Sequence, residues 1–262
     1  EFRRVLFRSA RTTIAIKGHI NNNAPKNLTI KTNSFNTTES KFFQKYLPAS
    51  LKPFAGKLNL NLNIFSSIAT PLKPNFKSTK WLKDYQLKIN MQLLNGLFQN
   101  QVYKEFSLNA DLKNNLLKIK KADIKHHNSH ILFHGNLTNN FKKLNLTISQ
   151  GSFLDLSEFS TLLAPYGNFA GTAFFDGKIS GFPKNLDFDL NLNLQNFKSN
   201  YLFFNSISGN ISQNNQKLNL SSFQLSQNND IYELNASLNL APLQNKTTAP
   251  KLNKLDYKIS LE

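Results

Sequence analysis

Four of the five histidines lie between residues 126 and 134. His126, His130 and His134 recur every fourth residue, the spacing at which side chains on a helix converge on a metal ion. The local string HHNSH, however, is polar and sits between alternating segments, which predicts a hairpin turn. A second copy of this stretch carries Gln227, Ile231 and Asn235 at the matching places, so no metal site is expected. Asp187 and Asp189 could serve as an acid/base or chelating pair, but two apart on a strand they are simply outward members of one face. No nucleophile elbow, phosphate loop or zinc spacing occurs. The chain has no cysteine, which excludes disulfide and thiolate-metal frameworks. Neither an enzyme nor a cofactor is expected.

The net charge is +17, carried mainly by scattered Lys. Recognition of base edges and phosphates favours the planar fork of Arg, so the charge reads as a solvated lysine surface and no nucleic-acid partner is expected. Three of the four Arg fall in residues 1–9, EFRRVLFRS. The codons GAG TTC AGA CGT GTG CTC TTC CGA TCT encode that string and resemble a common sequencing adapter. Residues 1–9 are therefore read as non-native and the chain as a fragment of a longer frame. Asn, Lys, Phe, Ile and Leu all use AT-rich codons, and the abundance of Asn is attributed in part to the genome.

What must position any site is a repeat. NLTIKTNSF from Asn27 returns as NLTISQGSF from Asn145, with Gly18 matched to Gly135. Each is followed by a short helical signature. In the second copy Asp155 and Glu158 have capping-box spacing ahead of Phe159, Leu162 and Leu163; in the first, Asn36 and Glu39 precede Phe42, Phe43, Tyr46 and Leu47. Pro48 and Pro165 end the helices, and FAG follows at Phe54 and Phe169. Further on, DYQLKINMQL from Asp84 is matched to DFDLNLNLQN from Asp187. Leu117, Ile119, Ala122 and Ile124 pair with Leu218, Leu220, Phe223 and Leu225, stepping two, three, two; the step of three predicts a β-bulge in both copies. The organisation expected is residues 1–9 as adapter, 10–134 as a first unit truncated at its N-terminus, 135–250 as a second, and 251–262 as the truncated start of a third.

Nearly everything else alternates. Leu58, Leu60, Leu62 and Ile64 form one apolar row; Leu87, Ile89, Met91 and Leu93 a second; Leu186, Phe188, Leu190, Leu192 and Leu194 a third, with Asn, Lys, Asp or Gln between. Such strands are apolar on one face and wet on the other. Two short helices cannot cover that face. A second sheet could, giving stacked β-sandwiches. The repeat of hairpins, short helix and FAG strand fits better an all-β, elongated and curved antiparallel sheet, a half-pipe with short amphipathic helices between repeats.

The succession of hairpins, capped helix, FAG and DGKISGFPKN resembles the AsmA-like family, including its TamB-type members, over residues 10 to 262. The first copy departs from it, having NIFSSIAT where the second has Gly177 and Gly181. The resemblance implies a periplasmic half-pipe anchored upstream in the inner membrane. Its apolar groove would carry phospholipid acyl chains between the inner and outer membranes, or support outer-membrane assembly with an outer-membrane protein partner. The three apolar rows are the expected groove lining. The alternative is a structural or adhesive surface protein built of stacked sandwiches.

Overall fold

The computed structural model describes residues 2–9, 12–21, 24–36, 55–66, 68, 83–98, 101–138, 142–164, 167–183, 185–200, 202–215, 217–239 and 251–260. It is all-β. The chain divides into two compact units, one of residues 1–127 with 134–142, the other of residues 128–133 with 143–262. The expected helix after Asn36, and Phe54 of the first FAG, lie outside the described residues.

The first unit contains β1 (Phe2–Ser9), β2 (Thr12–Asn21), β3 (Ala24–Asn36), β4 (Ala55–Ser66), β5 (Tyr85–Phe98), β6 (Gln101–Lys113) and β7 (Leu116–His126). Each strand pairs antiparallel with the next in chain order, and the sheet does not close on itself. β8 (Ser129–Thr138) has residues in both units. The second unit continues with β9 (Lys143–Asp155), β10 (Ala170–Phe182), β11 (Asn185–Lys198), β12 (Phe203–Asn214), β13 (Lys217–Gln227), β14 (Asp230–Asn239) and β15 (Lys251–Ser260), again an open antiparallel meander. The period-two alternation gives every strand one apolar face, and where the link is a two-residue hairpin, as between β6 and β7, neighbour pairing follows directly.

The bulge read from the step of three is present in both copies. Asn109 pairs with Lys121 and Ala110 with Ile119, so Lys120 is extra and exposed. In the second copy Leu220 pairs with Ala236 and Phe223 with Leu234, leaving Ser221 and Ser222 against one partner residue. Without the extra residue a slip of one would turn Ala122 or Phe223 to the wet face. Instead Ala122 is fully buried and Phe223 is 7% exposed.

Six of the eight non-glycine residues with positive φ among the described residues are Asn. Asn tolerates the left-handed region better than other side chains. Asn114 and Asn115, with φ of 51° and 60°, make the two-residue hairpin between β6 and β7 that primed turns require. The predicted turn at SQNND is also a two-residue hairpin, Gln227 facing Asp230. Such residues turn their N–H out of the ladder, and a neighbouring strand supplies the acceptor. The N–H groups of Ser34, Asn215, Ser222 and Asn228 donate to Oδ1 of Asn59, Asp187, Asn235 and Asn205 at 2.7, 3.1, 2.8 and 2.7 Å. Part of the Asn content that codon usage seemed to explain is thus structural.

Register between the copies differs from the sequence match at one place. Ala55 faces Leu97 and Lys57 faces Leu94 around the left-handed Asn95; Ala170 faces Lys198 and Thr172 faces Gln195 around the left-handed Asn196. Leu93 therefore corresponds to Leu194 and Asp84 to Asn185, not Asp187. A period-two pattern looks the same after a slip of two, so only the bulge decides.

The helical segment of the second copy is a 3₁₀ turn, Leu156–Phe159, followed by one α turn, Ser160–Leu163. Asp155 caps it, accepting from the Ser157 N–H at 3.0 Å. The capping box is not completed. The Asp155 N–H donates to Ser129 Oγ at 2.9 Å, while the Glu158 carboxylate accepts from the Asn128 N–H and from Ser129 Oγ. Glu158 pins the turn before β8 instead, and those donors outcompete the local one. The Ser157 hydroxyl is the main cause holding the Asp155 carboxyl below its usual range.

Candidate functional site

The first two apolar rows are directly opposed. Leu58, Leu60, Leu62 and Ile64 on β4 face Leu93, Met91, Ile89 and Leu87 on β5. Burial is uneven along them. Leu58, Leu93, Ile64 and Leu87 are buried, with Leu93 at 2% exposure, whereas Leu60, Leu62, Ile89 and Met91 in the strand middles are only half-buried. Two clusters account for this. Phe35, Leu58 and Leu93 gather Ile14, Leu60, Met91 and Phe106; Ile64, Tyr85, Leu87 and Leu112 gather Leu28, Leu62, Ile89 and Leu117. The row ends are packed and the centre is open. Burial, with Asp84 nearby, raises the Tyr85 phenol above its ordinary range.

In the second unit the third row is more open still. Leu186, Phe188, Leu190, Leu192 and Leu194 on β11 are all half-buried and none is buried. Opposite them on β10 stand Gly181, Ile179, Gly177, Phe175 and Ala173. Gly177, at φ 143°, lets the strands approach so closely that a Cβ would meet Asp189 O at 2.1 Å. Asn191 and Asn193 are exposed on the other face, as the alternation requires.

That polar face is organised by hydrogen bonds in a way the sequence does not display. In the first unit a chain runs from the Ser34 N–H to Asn59 at 2.7 Å, then through Gln92 at 3.2 Å to Glu105 at 2.8 Å and Lys125 at 3.0 Å, crossing five strands from β3 to β7. The Gln92 and Lys125 hydrogen bonds lower the Glu105 pKa, and Glu105 in turn raises that of Lys125. Beside this chain lies a shallow cleft of about 440 Å³, lined by Lys31, Asn61, Asn90, Asn109 and Lys121 among others. These residues have the parity opposite to the apolar rows and lie on the wet face, while Thr32, Leu60, Met91 and Leu108, of the other parity, complete the lining. Sequence reasoning missed it because the wet-face residues read only as spacers.

The histidines do not share a helix. His126 ends β7, and His130 and His134 lie in β8. His126 is buried with its ring edge-on to Tyr103 at 5.5 Å and to His127 at 4.7 Å. His130 meets Phe153 edge-on at 6.1 Å, and His134 is exposed. Asp189 accepts from Asn210 Nδ2 at 2.6 Å, and Asp187 caps the Asn215 N–H, so each carboxylate has a structural partner. No helix among the described residues is long and apolar enough to cross a membrane. No family model, curated protein or solved structure matches the chain.

Proposed function

We propose that this chain is part of an AsmA/TamB-like periplasmic lipid conduit, in which the apolar sheet face holds phospholipid acyl chains on their way between inner and outer membrane. The observation that carries this reading is the half-buried state of Leu186 to Leu194 and of the central residues Leu60, Leu62, Ile89 and Met91 in open, single-layer sheets. A sandwich core would bury such rows against a facing sheet about 10 Å away, and none faces them among the described residues. An acyl chain of about 16 methylenes costs on the order of 13 kcal/mol to expose to water, at ~0.8 kcal/mol each. A continuous row of Leu, Ile and Phe keeps that cost nearly constant along its length, so a lipid can slide without a special residue. The head group stays in water. In the proposal an anchor outside this stretch holds the protein at the inner membrane.

The test rests on two adjacent residues. Leu190 lies in the apolar row and Asn191 on the wet face, exposed and donating to Asp176 at 3.2 Å. Leu190→Asp puts a carboxylate where acyl chains pass, and desolvating it against lipid costs several kcal/mol. In an open trough water still reaches the carboxylate without lipid, so the variant folds by circular dichroism yet loses lipid photo-crosslinking in cells. Asn191→Asp gives up the donor to Asp176 and so costs some stability, but it leaves lipid crosslinking unchanged. Unfolding of Leu190→Asp, or equal lipid crosslinking from probes at both positions, refutes the conduit.

A further inference from the structure

The wet face of the first unit carries a straight row: Lys31 faces Asn61, Asn61 faces Asn90, Asn90 faces Asn109 and Asn109 faces Lys121. The row crosses five strands, so its lysines stand about 19 Å apart at ~4.8 Å per strand spacing. It forms the floor of the cleft of about 440 Å³. Asn61 Oδ1 is buried without a hydrogen-bond partner among the described residues. The Asn90 and Asn109 side chains engage no other side chain among the described residues. A buried carboxamide oxygen left unpaired is costly, and such groups normally find a donor.

The second copy shows what a self-sufficient row looks like. At the matching positions stand Asp176, Asn191 and Asn210, paired in the same register. There the Asp176 carboxylate accepts from Asn191 Nδ2 at 3.2 Å, and Asn210 Nδ2 donates to Asp189 at 2.6 Å. The row satisfies itself and ends in Ser221, not in a lysine. The first unit thus has the same scaffold with its internal acceptor replaced by Asn61, its hydrogen bonds unmade and a cation at each end. Lys121 reaches Asp123 only at 3.8 Å and keeps its side chain 66% exposed.

We infer that this cleft binds an acidic oligosaccharide. Hydroxyl groups can donate to Asn61 Oδ1 and accept from the carboxamide NH₂ groups, as the inventory of an Asn side chain requires. Carboxylates near the ends of the sugar chain meet Lys31 and Lys121, a match that the net charge of +17 reinforces at long range. The polar row lies on the face opposite the apolar side chains, although Leu60 and Met91 of the apolar rows also line the cleft.

Isothermal titration of the 262-residue chain with tetragalacturonic acid, maltotetraose and tetraglutamate tests the assignment. The acidic sugar binds with Kd tighter than about 1 mM, and the neutral sugar and the acidic peptide bind at least about tenfold more weakly. Asn61→Asp installs the residue that the second copy uses at this place, so the chain folds and the acidic sugar is lost. The exposed pair Lys31→Ala/Lys121→Ala, which removes charge without touching the core, weakens it about tenfold or more. Absence of binding, equal binding of tetraglutamate or maltotetraose, or unchanged affinity in both variants overturns the inference.

Discussion

Glu105 is held on the wet face by Gln92 at 2.8 Å and Lys125 at 3.0 Å. Its pKa is lowered by folding, so it contributes stability at every pH above the unfolded carboxylate value near ~4.3. That contribution fades as pH falls through the lower folded value. Lys125 has the opposite sign: its raised pKa gives stability below about 10.4 that is lost as pH rises through the folded value. Lys125 is 40% exposed, so the ion pair itself is discounted for solvent screening. Glu105→Gln is expected to destabilise by roughly 1 kcal/mol at pH 7, with the gap to the parent closing as melts are taken down through the lowered folded value. An unchanged gap at low pH would show that the loss is not electrostatic.

At the scale of strands, the two copies solve one packing problem in opposite ways. Leu108 on β6 faces the fully buried Ala122 on β7. At the matching place Gly209 on β12 lies against Phe223 on β13, where a Cβ would meet the ring at 2.5 Å. Large against small becomes small against large, and total volume is roughly kept, as dense cores demand. Gly209→Leu alone should therefore overpack and cost about 1–3 kcal/mol, and Phe223→Ala alone should leave a cavity costing about 3–5 kcal/mol. The double variant, which transplants the first copy's pair, relieves the ring contact but leaves the Phe223 Cα 2.8 Å from the new Cβ, so it should recover only part of the loss. Denaturant melts of all four proteins give the coupling, and simple additivity would mean that the residues do not share the space.

For the whole chain, the lipid reading makes a demand on the protein as purified. On the proposed conduit the open rows of Leu and Ile hold acyl chains, and a ligand that binds only the folded state raises stability by mass action. Native mass spectrometry should find phospholipid retained by the 262-residue chain. Added lipid in mild detergent should raise its Tm, and Leu190→Asp should reduce both effects. A chain that comes through free of lipid, with a Tm indifferent to lipid, counts against the conduit.

Much of this was open to reading before any fold. Alternation assigns each residue of a strand to a face, so the apolar rows at Leu58, Leu87 and Leu186 and the wet position of Asn191 follow from period two alone. The step of three gives the bulges at Lys120 and Ser222 for the same reason, because only an extra residue keeps Ile119 with Ala122 and Leu220 with Phe223. What alternation leaves undetermined is which residues meet across strands. A slip of two preserves every face, so Asp84 matched Asp187 in sequence while the left-handed Asn95 and Asn196 align it with Asn185. Glu158 could cap its own helix or reach Asn128 and Ser129, and proximity through space chose the second. The row Lys31–Asn61–Asn90–Asn109–Lys121 is scattered over 91 positions of chain (121 − 31 + 1). Only tertiary register brings it into one line, because hydrogen-bonded strands join side chains that no local pattern relates.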